Sequence, residues 1–449
     1  SGGITPEDGI AFGKSMRESG QVDFLNIIRG QIHTDPAMTD VIPIQGMKSA
    51  PHLDFAGRVK AEVGLPTFHA ARIPDVATAR HAVASGQLDM VGMTRAHMAD
   101  PYLVTKLARG DDDRIRPCVG LGYCVDRVNQ GKAAVCGHNA ATGREAKMPH
   151  LITKAETVKK VVVVGGGPAG LEAARISALR GHDVVLFEAS DSLGGQLKLA
   201  SAGMTRRQIW GVADWLISEV AHLGVDVRLN TFAETDEITD QAPDVVIIAT
   251  GGWPDAPDFE GAALTTSSWD VLSGTARLSG EVMLFDETGD HPALVCADVL
   301  ARLGCTVRHI SPDRATAHDL GPTNSAVVLR DLASQGVTFT CFQDIEKVAQ
   351  LGNRKEVTLR HVLTGETSVH VVDHVVIEHG ITPMDALYHD LKAHSCNLGQ
   401  IDQDAMVAGQ NPLKPTQAEG GFLLARLGDA ISGRNIHAAL YDALRICKD

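Results

Sequence analysis

The stretch from Lys160 to Glu188, KVVVVGGGPAGLEAARISALRGHDVVLFE, limits what this chain can fold into more than any other. Val161 to Val164 form a β-branched apolar run of the kind a parallel strand buried on both faces requires. Gly165, Gly167 and Gly170 follow at G-x-G-x-x-G spacing. The first glycine permits a tight turn, the second lets backbone approach a pyrophosphate, and the third allows a helix from about Pro168 and Ala169 to pack closely. Such a helix points free N–H groups and partial positive charge at phosphates. Ala173, Ala174, Ile176 and Leu179 continue it at helical spacing, Gly181 ends it, and Val184 to Phe187 make the next strand. Glu188 lies about twenty residues past the glycines, where a carboxylate can accept hydrogen bonds from an adenosine ribose. An adenine dinucleotide or ADP is the expected ligand, against the alternative of a vestigial fold.

The 449 residues have length for about three domains. A formal charge of −14 argues against binding nucleic acid. No apolar run is long enough for a membrane span and no charged-then-apolar leader opens the chain, so a soluble, cytoplasmic protein is expected. The opening residues look internal, with a loop running into a helix capped at Thr5. Strands at 24–28, 66–72 and 88–95 alternate with helices at 53–64, 75–86 and about 101–108, the pattern of a helix-wrapped parallel sheet. Three such units cannot close a (β/α)8 barrel. Either the sheet is small or five units are missing.

Residues 114–148 have a different character, with glycine punctuation and no apolar period. Cys118, Cys124 and Cys136 on this loop suit an iron–sulfur cluster or zinc, although both normally take four ligands. Leu121 stands where another cysteine would complete C-x2-C-x2-C. A cluster with one odd ligand or three irons competes with a degenerate, metal-free loop. Beyond Glu188, Gly195 and Gln196 supply a second glycine turn at the nucleotide edge, and Ala249, Thr250 and Gly251 let backbone lie against a flavin or ADP. A second βαβ unit at 281–311 has only Gly289 in its turn, with Asp290 adding negative charge where phosphates would lie. It reads as a nicotinamide-dinucleotide fold stripped of its phosphate site. The strand at 373–380 is assigned to a return to the first nucleotide domain. Gly428 and Asp429 end a later strand, where Asp429 either accepts hydrogen bonds from a ribityl or ribose hydroxyl or caps the helix near Arg434.

With FHAARI, VGMTRAHMADP, CVGLGYCVDR, NAATGRE, VVVVGGGPAGLEAAR, SSWDVL and GDAISGRNIHAALYDALR in view, the chain resembles the trimethylamine dehydrogenase and 2,4-dienoyl-CoA reductase group of the old yellow enzyme superfamily. Within that group it looks most like bacterial demethylases acting on dimethylglycine or N-methylproline. The resemblance covers essentially the whole chain but begins before the family's sixth barrel strand. It implies the C-terminal part of an FMN (β/α)8 barrel at 1–113, a cysteine loop at 114–150, an FAD or ADP domain at 151–260 and 375–449, and an inserted NAD(P)-like domain at 261–374. Ala71, Arg72, Thr94 and Arg95 match the family's FMN phosphate grip. Two arginines at the ends of adjacent parallel strands are independently suited to a phosphate. Asp35 or Asp40 falls near the family's active-site acid, with a solvated turn residue as the alternative. Leu121 departs from the four-cysteine pattern, leaving [4Fe-4S] or [3Fe-4S] open at Cys118, Cys124 and Cys136. The resemblance further implies oxidative N-demethylation of a methylated amine, formaldehyde release, an electron-transfer flavoprotein-type acceptor and a homo-oligomer. The alternatives are an NADPH-fed enoate or dienoyl-CoA reductase, and a nucleotide-holding electron-transfer module without chemistry of its own.

Overall fold

The structure, a computed structural model, describes residues 3–449. Its organising layer is a five-stranded parallel sheet in the order 423–426, 245–248, 160–164, 183–187, 226–228. Strand Lys160–Val164 is central because its four valines are buried, with successive side chains packing into opposite faces. On one face Val161 and Val163 meet helices Pro168–Leu179, Trp210–His222 and Ile436–Cys447. On the other, Val162 and Val164 meet Tyr388, Leu391 and Phe422.

A second parallel sheet has the order 338–340, 306–310, 281–286, 374–378, 266–267. Val282 and Leu284 face the helix His291–Arg302, whereas Met283 and Phe285 face a three-stranded antiparallel sheet spanning 343–372. The chain leaves the first sheet through Gly252–Pro254 and returns through Ile381–Pro383, and these two segments pair antiparallel as a narrow ribbon. This corrects the expectation for 373–380. Strand His374–Glu378 pairs with Glu281–Asp286 from Val282↔His374 to Asp286↔Glu378, so it belongs to the second sheet, and the return comes after it. Its run of four buried residues suits an interior position in either sheet, and the long-range pairing with Glu281–Asp286 is what settles it.

The N-terminal part contains three parallel strands, Leu25–Ile27, Thr67–Ala70 and Met90–Gly92, separated by helices as expected. Helix Leu53–Val63 buries Leu53, Ala56, Val59 and Val63, with Phe55 only partly covered. The cysteine loop, expected to lack regular structure, holds the short helix Tyr123–Asn129. Asp126 on it is buried and accepts hydrogen bonds from the Thr323 N–H at 2.8 Å, the Thr323 hydroxyl at 2.6 Å and Asn324 Nδ2 at 2.8 Å. The loop is thereby tied to helix Pro322–Ser334 of the second fold, against which helix Asp35–Val41 also packs. Among the described residues no helix is long and apolar enough to cross a membrane.

Candidate functional site

At the C-terminal edge of the central strand the chain turns through Gly165, whose φ is +106°. A Cβ there would lie 2.3 Å from the Ala249 carbonyl oxygen, and one on Gly170 would lie 1.9 Å from the Gly165 carbonyl oxygen. Both glycines are demanded by the protein's own packing. Gly167 is different: its φ of −78° suits any residue, and a Cβ would meet nothing nearer than Gly195 Cα at 3.9 Å. The space over it is open, and it sits at the N-cap of Pro168–Leu179 with no side chain capping the helix. Free N–H groups beneath an open cradle suit a pyrophosphate.

Glu188 accepts the Gly166 N–H at 2.7 Å through Oε2 and the Ser190 N–H at 2.8 Å through Oε1, so it shapes the glycine turn while bordering the open space. Asp429 accepts the Arg434 N–H at 3.1 Å and Gln196 Nε2 at 3.3 Å. Burial pushes its carboxyl above the ordinary range. It does not cap the following helix: that role falls to Asn435, which accepts the Ala438 N–H at 3.0 Å. Gly165, Gly167, Pro168, Ala169, Glu188, Gly195, Gln196, Ala249, Thr250, Gly251 and Asp429 all line one cleft of about 900 Å³ between the two nucleotide folds. Gly170 and Gly428 act behind it, Gly428 by admitting Ala169, whose Cβ would be 2.9 Å from a Cβ on Gly428.

The turn of the second fold is closed. Asp286 Oδ1 takes the N–H groups of Thr288 and Gly289 at 3.0 and 2.9 Å, the donors a phosphate would need. A Cβ on Gly289 would lie 2.0 Å from His318 Nδ1, so an imidazole covers the turn. Asp290 caps helix His291–Arg302 by accepting the His291 N–H at 2.7 Å. Two N–H groups that a dinucleotide phosphate would use at this turn are thus already taken.

In the cysteine loop the three thiols share one neighbourhood, since the charges of Cys118 and Cys124 both bear on Cys136. Burial first, then these neighbours, push the Cys136 thiol up to about 11. Burial likewise raises Cys124, with Arg95 opposing. Among the described residues no three His, Cys, Asp or Glu side chains converge on a single metal ion, which leaves zinc without a ligand set. Leu121 fills the fourth position with hydrocarbon, its Cδ1 only 2.5 Å from where a Gly137 Cβ would stand. The donors this loop offers to a cluster are the three thiols of Cys118, Cys124 and Cys136, with Leu121 in place of a fourth.

Arg72 is buried with a φ of +50°, donates through Nη2 to Gln208 Oε1, and leaves Nε and Nη1 without partners. Burial first, then Arg95, lower its guanidinium to about 10. Arg95 donates to the Pro43 carbonyl at 2.8 Å, Thr94 opens helix Thr94–Ala99, and Ala71 is buried beside Arg72. Gln45, also buried, has neither amide atom satisfied, and a Cβ on Gly120 would touch both its N–H (2.9 Å) and Arg72 Nη1 (3.4 Å). A buried cation beside unused donors fits an FMN phosphate. Gln45 and Gln208 carried no signal in the sequence, because neither lies in a motif. Asp35 and Asp40 stand exposed on helix Asp35–Val41, and neither borders the cleft. His69, close to Arg72 in sequence, is buried with Nδ1 2.8 Å from the Ile27 carbonyl and Nε2 unpartnered.

Residues 159–412 match the pyridine nucleotide-disulphide oxidoreductase family. The chain is 50% identical over 449 residues to a probable N-methylproline demethylase of Rhizobium meliloti, covering 100% of this chain and 66% of that protein. It is 41% identical over 461 aligned residues to an N,N-dimethylglycine/sarcosine dehydrogenase of Chromohalobacter salexigens, again covering 66% of it. The chain thus spans just under two thirds of the length of these relatives. Among solved structures, a 2-naphthoyl-CoA reductase complex superposes with a TM-score of 0.85 at 27% identity, over 99% of this chain and 63% of that one. A histamine dehydrogenase from Rhizobium sp. 4-9 shares the fold, with a TM-score of 0.84 at 22% identity over 99% of this chain and 63% of that one. With one open dinucleotide cradle in a parallel α/β sheet and these likenesses along its whole length, the chain belongs to the pyridine nucleotide-disulphide oxidoreductase family, among the flavin oxidoreductases related to N-methylproline and dimethylglycine demethylases.

Proposed function

We propose that the chain forms the electron-handling part of a flavin-dependent amine N-demethylase. Residues 1–113 are read as the last three units of an FMN (β/α)8 barrel, 114–150 as the iron–sulfur loop, and the rest as an FAD or ADP domain carrying an inserted, nicotinamide-free fold. The contrast between the two turns carries the proposal: Gly167 lies under open space, whereas Asp286 and His318 close the turn at Gly289. Electrons therefore enter from a substrate and leave through a protein carrier of the electron-transfer flavoprotein type. The names of the similar demethylases support a small methylated amine as that substrate, with Asp35 or Asp40 kept as candidates for the acid near it.

FMN, when bound, supplies the two-electron oxidation of an N-methyl carbon, after which water adds to that carbon and formaldehyde leaves. The chain's own groups do the rest. Arg72 and Arg95 hold the phosphate, so the ring is fixed by two cations near strand ends. Cys118, Cys124 and Cys136 hold a cluster, and Gly167 with the N–H groups of helix Pro168–Leu179 holds the pyrophosphate. The cysteine loop borders the dinucleotide cleft through Tyr123 and Gly137, which keeps the path between the centres short.

A second reading, an NADPH-fed reductase of an activated alkene, draws support from a 41%-identical multifunctional alkene reductase/demethylase of Caballeronia cordobensis. Anaerobic stopped-flow mixing of the flavin-loaded protein separates the two. Bleaching of flavin absorbance by N-methylproline or dimethylglycine, with none by NADPH, is expected. Rapid bleaching by NADPH alone would reverse the assignment.

A further inference from the structure

The second fold, whose turn at Gly289 has its N–H groups taken by Asp286, reaches the cysteine loop through the start of another helix. Helix Pro322–Ser334 begins after Gly321, which has no side chain to cap it. Asp126 of the loop caps it through the Thr323 N–H. One residue on, Asn324 is 7% exposed and turns both hydrogens of its amide nitrogen toward the loop. One goes to the Leu121 carbonyl at 2.9 Å and the other to Asp126 Oδ2 at 2.8 Å. A glycine on each side makes room for these contacts. A Cβ on Gly321 would lie 2.1 Å from Asp126 Cγ, and one on Gly122 would lie 2.7 Å from Asn324 Nδ2.

Leu121 is the residue that breaks the cysteine spacing, so no bond to a metal can fix the chain there. It stands between Gly120 and Gly122, whose φ values of +72° and +74° mark the most permissive kind of backbone. Its side chain packs on the core of the first fold and against Gly137, and its carbonyl is held by Asn324. We propose that the second fold serves as a clamp on the cysteine loop, with Asn324 the positioning residue that holds position 121 by a hydrogen bond where a fourth cysteine would hold it through a metal. This rests on the cysteine-loop reading above and deepens it. A buried amide shared between a carbonyl and a carboxylate is charge-assisted on one side, and its removal leaves both acceptors without that donor. The fold with the occupied turn thereby has a task that needs no nucleotide.

The test compares wild type, Asn324→Leu and Asn324→Ser in the metal-free full chain, by the rate at which iodoacetamide labels each cysteine, read by peptide mass spectrometry. Asn324→Leu keeps the volume and removes the donor. Asn324→Ser is too short to reach Leu121 and carries the test if the leucine variant does not fold. Cys118 and Cys124, on either side of Leu121, are expected to label about tenfold faster in the variants, as loss of one such bond implies. Cys296 of the second fold and Cys447 of the first, both buried, should keep their wild-type rates. Unchanged labelling at Cys118 and Cys124 would overturn the clamp. So would equal acceleration at Cys296, which would mean that the variant had only loosened its own fold. A second arm asks whether the bond stands in for the missing ligand. After reconstitution with iron and sulfide, bleaching by a chelator should run about tenfold faster in Asn324→Leu than in wild type, and adding Leu121→Cys to both should shrink that ratio to about twofold or less. An undiminished ratio would refute the substitution of Asn324 for a fourth ligand. Failure of wild type to take up iron would sink the cluster reading, with the labelling rates still deciding the clamp.

Discussion

Replacing Gly167 by alanine should separate ligand binding from folding. The backbone there, at φ −78° and ψ −178°, is accessible to alanine, and the new methyl would have only Gly195 Cα for company at 3.9 Å. The ligand-free protein should therefore be unharmed or slightly stabilised, by about 0.4–1 kcal/mol from the narrower unfolded ensemble. The same methyl occupies the space through which a phosphate reaches the helix N-terminus. Loss of one charge-assisted hydrogen bond costs about 1.5–3 kcal/mol, or roughly 10- to 150-fold in Kd. Gly170→Ala gives the contrast. Its Cβ would stand 1.9 Å from the Gly165 carbonyl oxygen and 3.3 Å from Ala249 Cβ, so helix and strand must part, at about 1–3 kcal/mol or more. Urea unfolding of the stripped proteins measures the first effect, and titration with FAD and ADP the second. Wild-type affinity in Gly167→Ala would refute the cradle, and a loss of stability matching that of Gly170→Ala would refute the packing argument.

Two further outcomes can be stated. Removing the buried Asp126 carboxylate with Asp126→Ala leaves the Thr323 N–H and hydroxyl without their acceptor and Asn324 Nδ2 with only the Leu121 carbonyl; at about 1–3 kcal/mol per orphaned group, the second fold should loosen, read as faster limited proteolysis near Gly321. Cleavage no faster than in wild type would dismiss the tie. On the acid side, burial lowers the pKa values of His69 and His291 below the ordinary 6.5, so the folded state favours their neutral forms. Their contribution is fully present above about pH 6.5 and is lost as the pH falls below it. Burial opposes the charges of Glu172 and Asp100, yet Arg175 and Arg116, and Lys106 with the Arg116 N–H, hold these carboxyls below their ordinary range, and that contribution is lost at still lower pH. Urea midpoints should decline from pH 7.5 to 5.5 and again below about pH 4; identical midpoints at 7.5 and 5.5 would exclude the histidine contribution.

The parts of the fold that could be read in the sequence are those set by local spacing. The run from Lys160 to Glu188 specifies strand, turn, helix and strand within thirty residues, and each element forms where the pattern puts it. Gly289 and Asp290 likewise showed a turn without a phosphate loop, although not that Asp286 and His318 would close it. What stayed hidden depends on residues far apart. Strand His374–Glu378 looks equally apolar in either sheet, and only its pairing with Glu281–Asp286 decides between them. Arg206, in a run of two arginines ahead of an apolar helix, has the local look of a surface residue. Its burial comes from a neighbouring fold that begins some seventy residues later. Glu172 on the dinucleotide helix resembles a solvated charge, yet it is buried between Arg175 at 2.6 Å and Arg116 at 3.6 Å, beneath the loop of the three cysteines.

The narrow ribbon through which the chain crosses and returns has a mechanical consequence. Gly252–Pro254 begins one residue after Gly251, and Met384, just past the returning segment, donates its N–H to the Gly251 carbonyl at 2.9 Å. Any swing of the second lobe must twist these few residues, and Gly252 and Trp253 among them also line the dinucleotide cleft. Gly251 supplies the left-handed backbone at φ +75° with which the chain enters the ribbon from the cleft wall. The orientation of the second lobe and the shape of this cleft wall are therefore linked through one short ribbon.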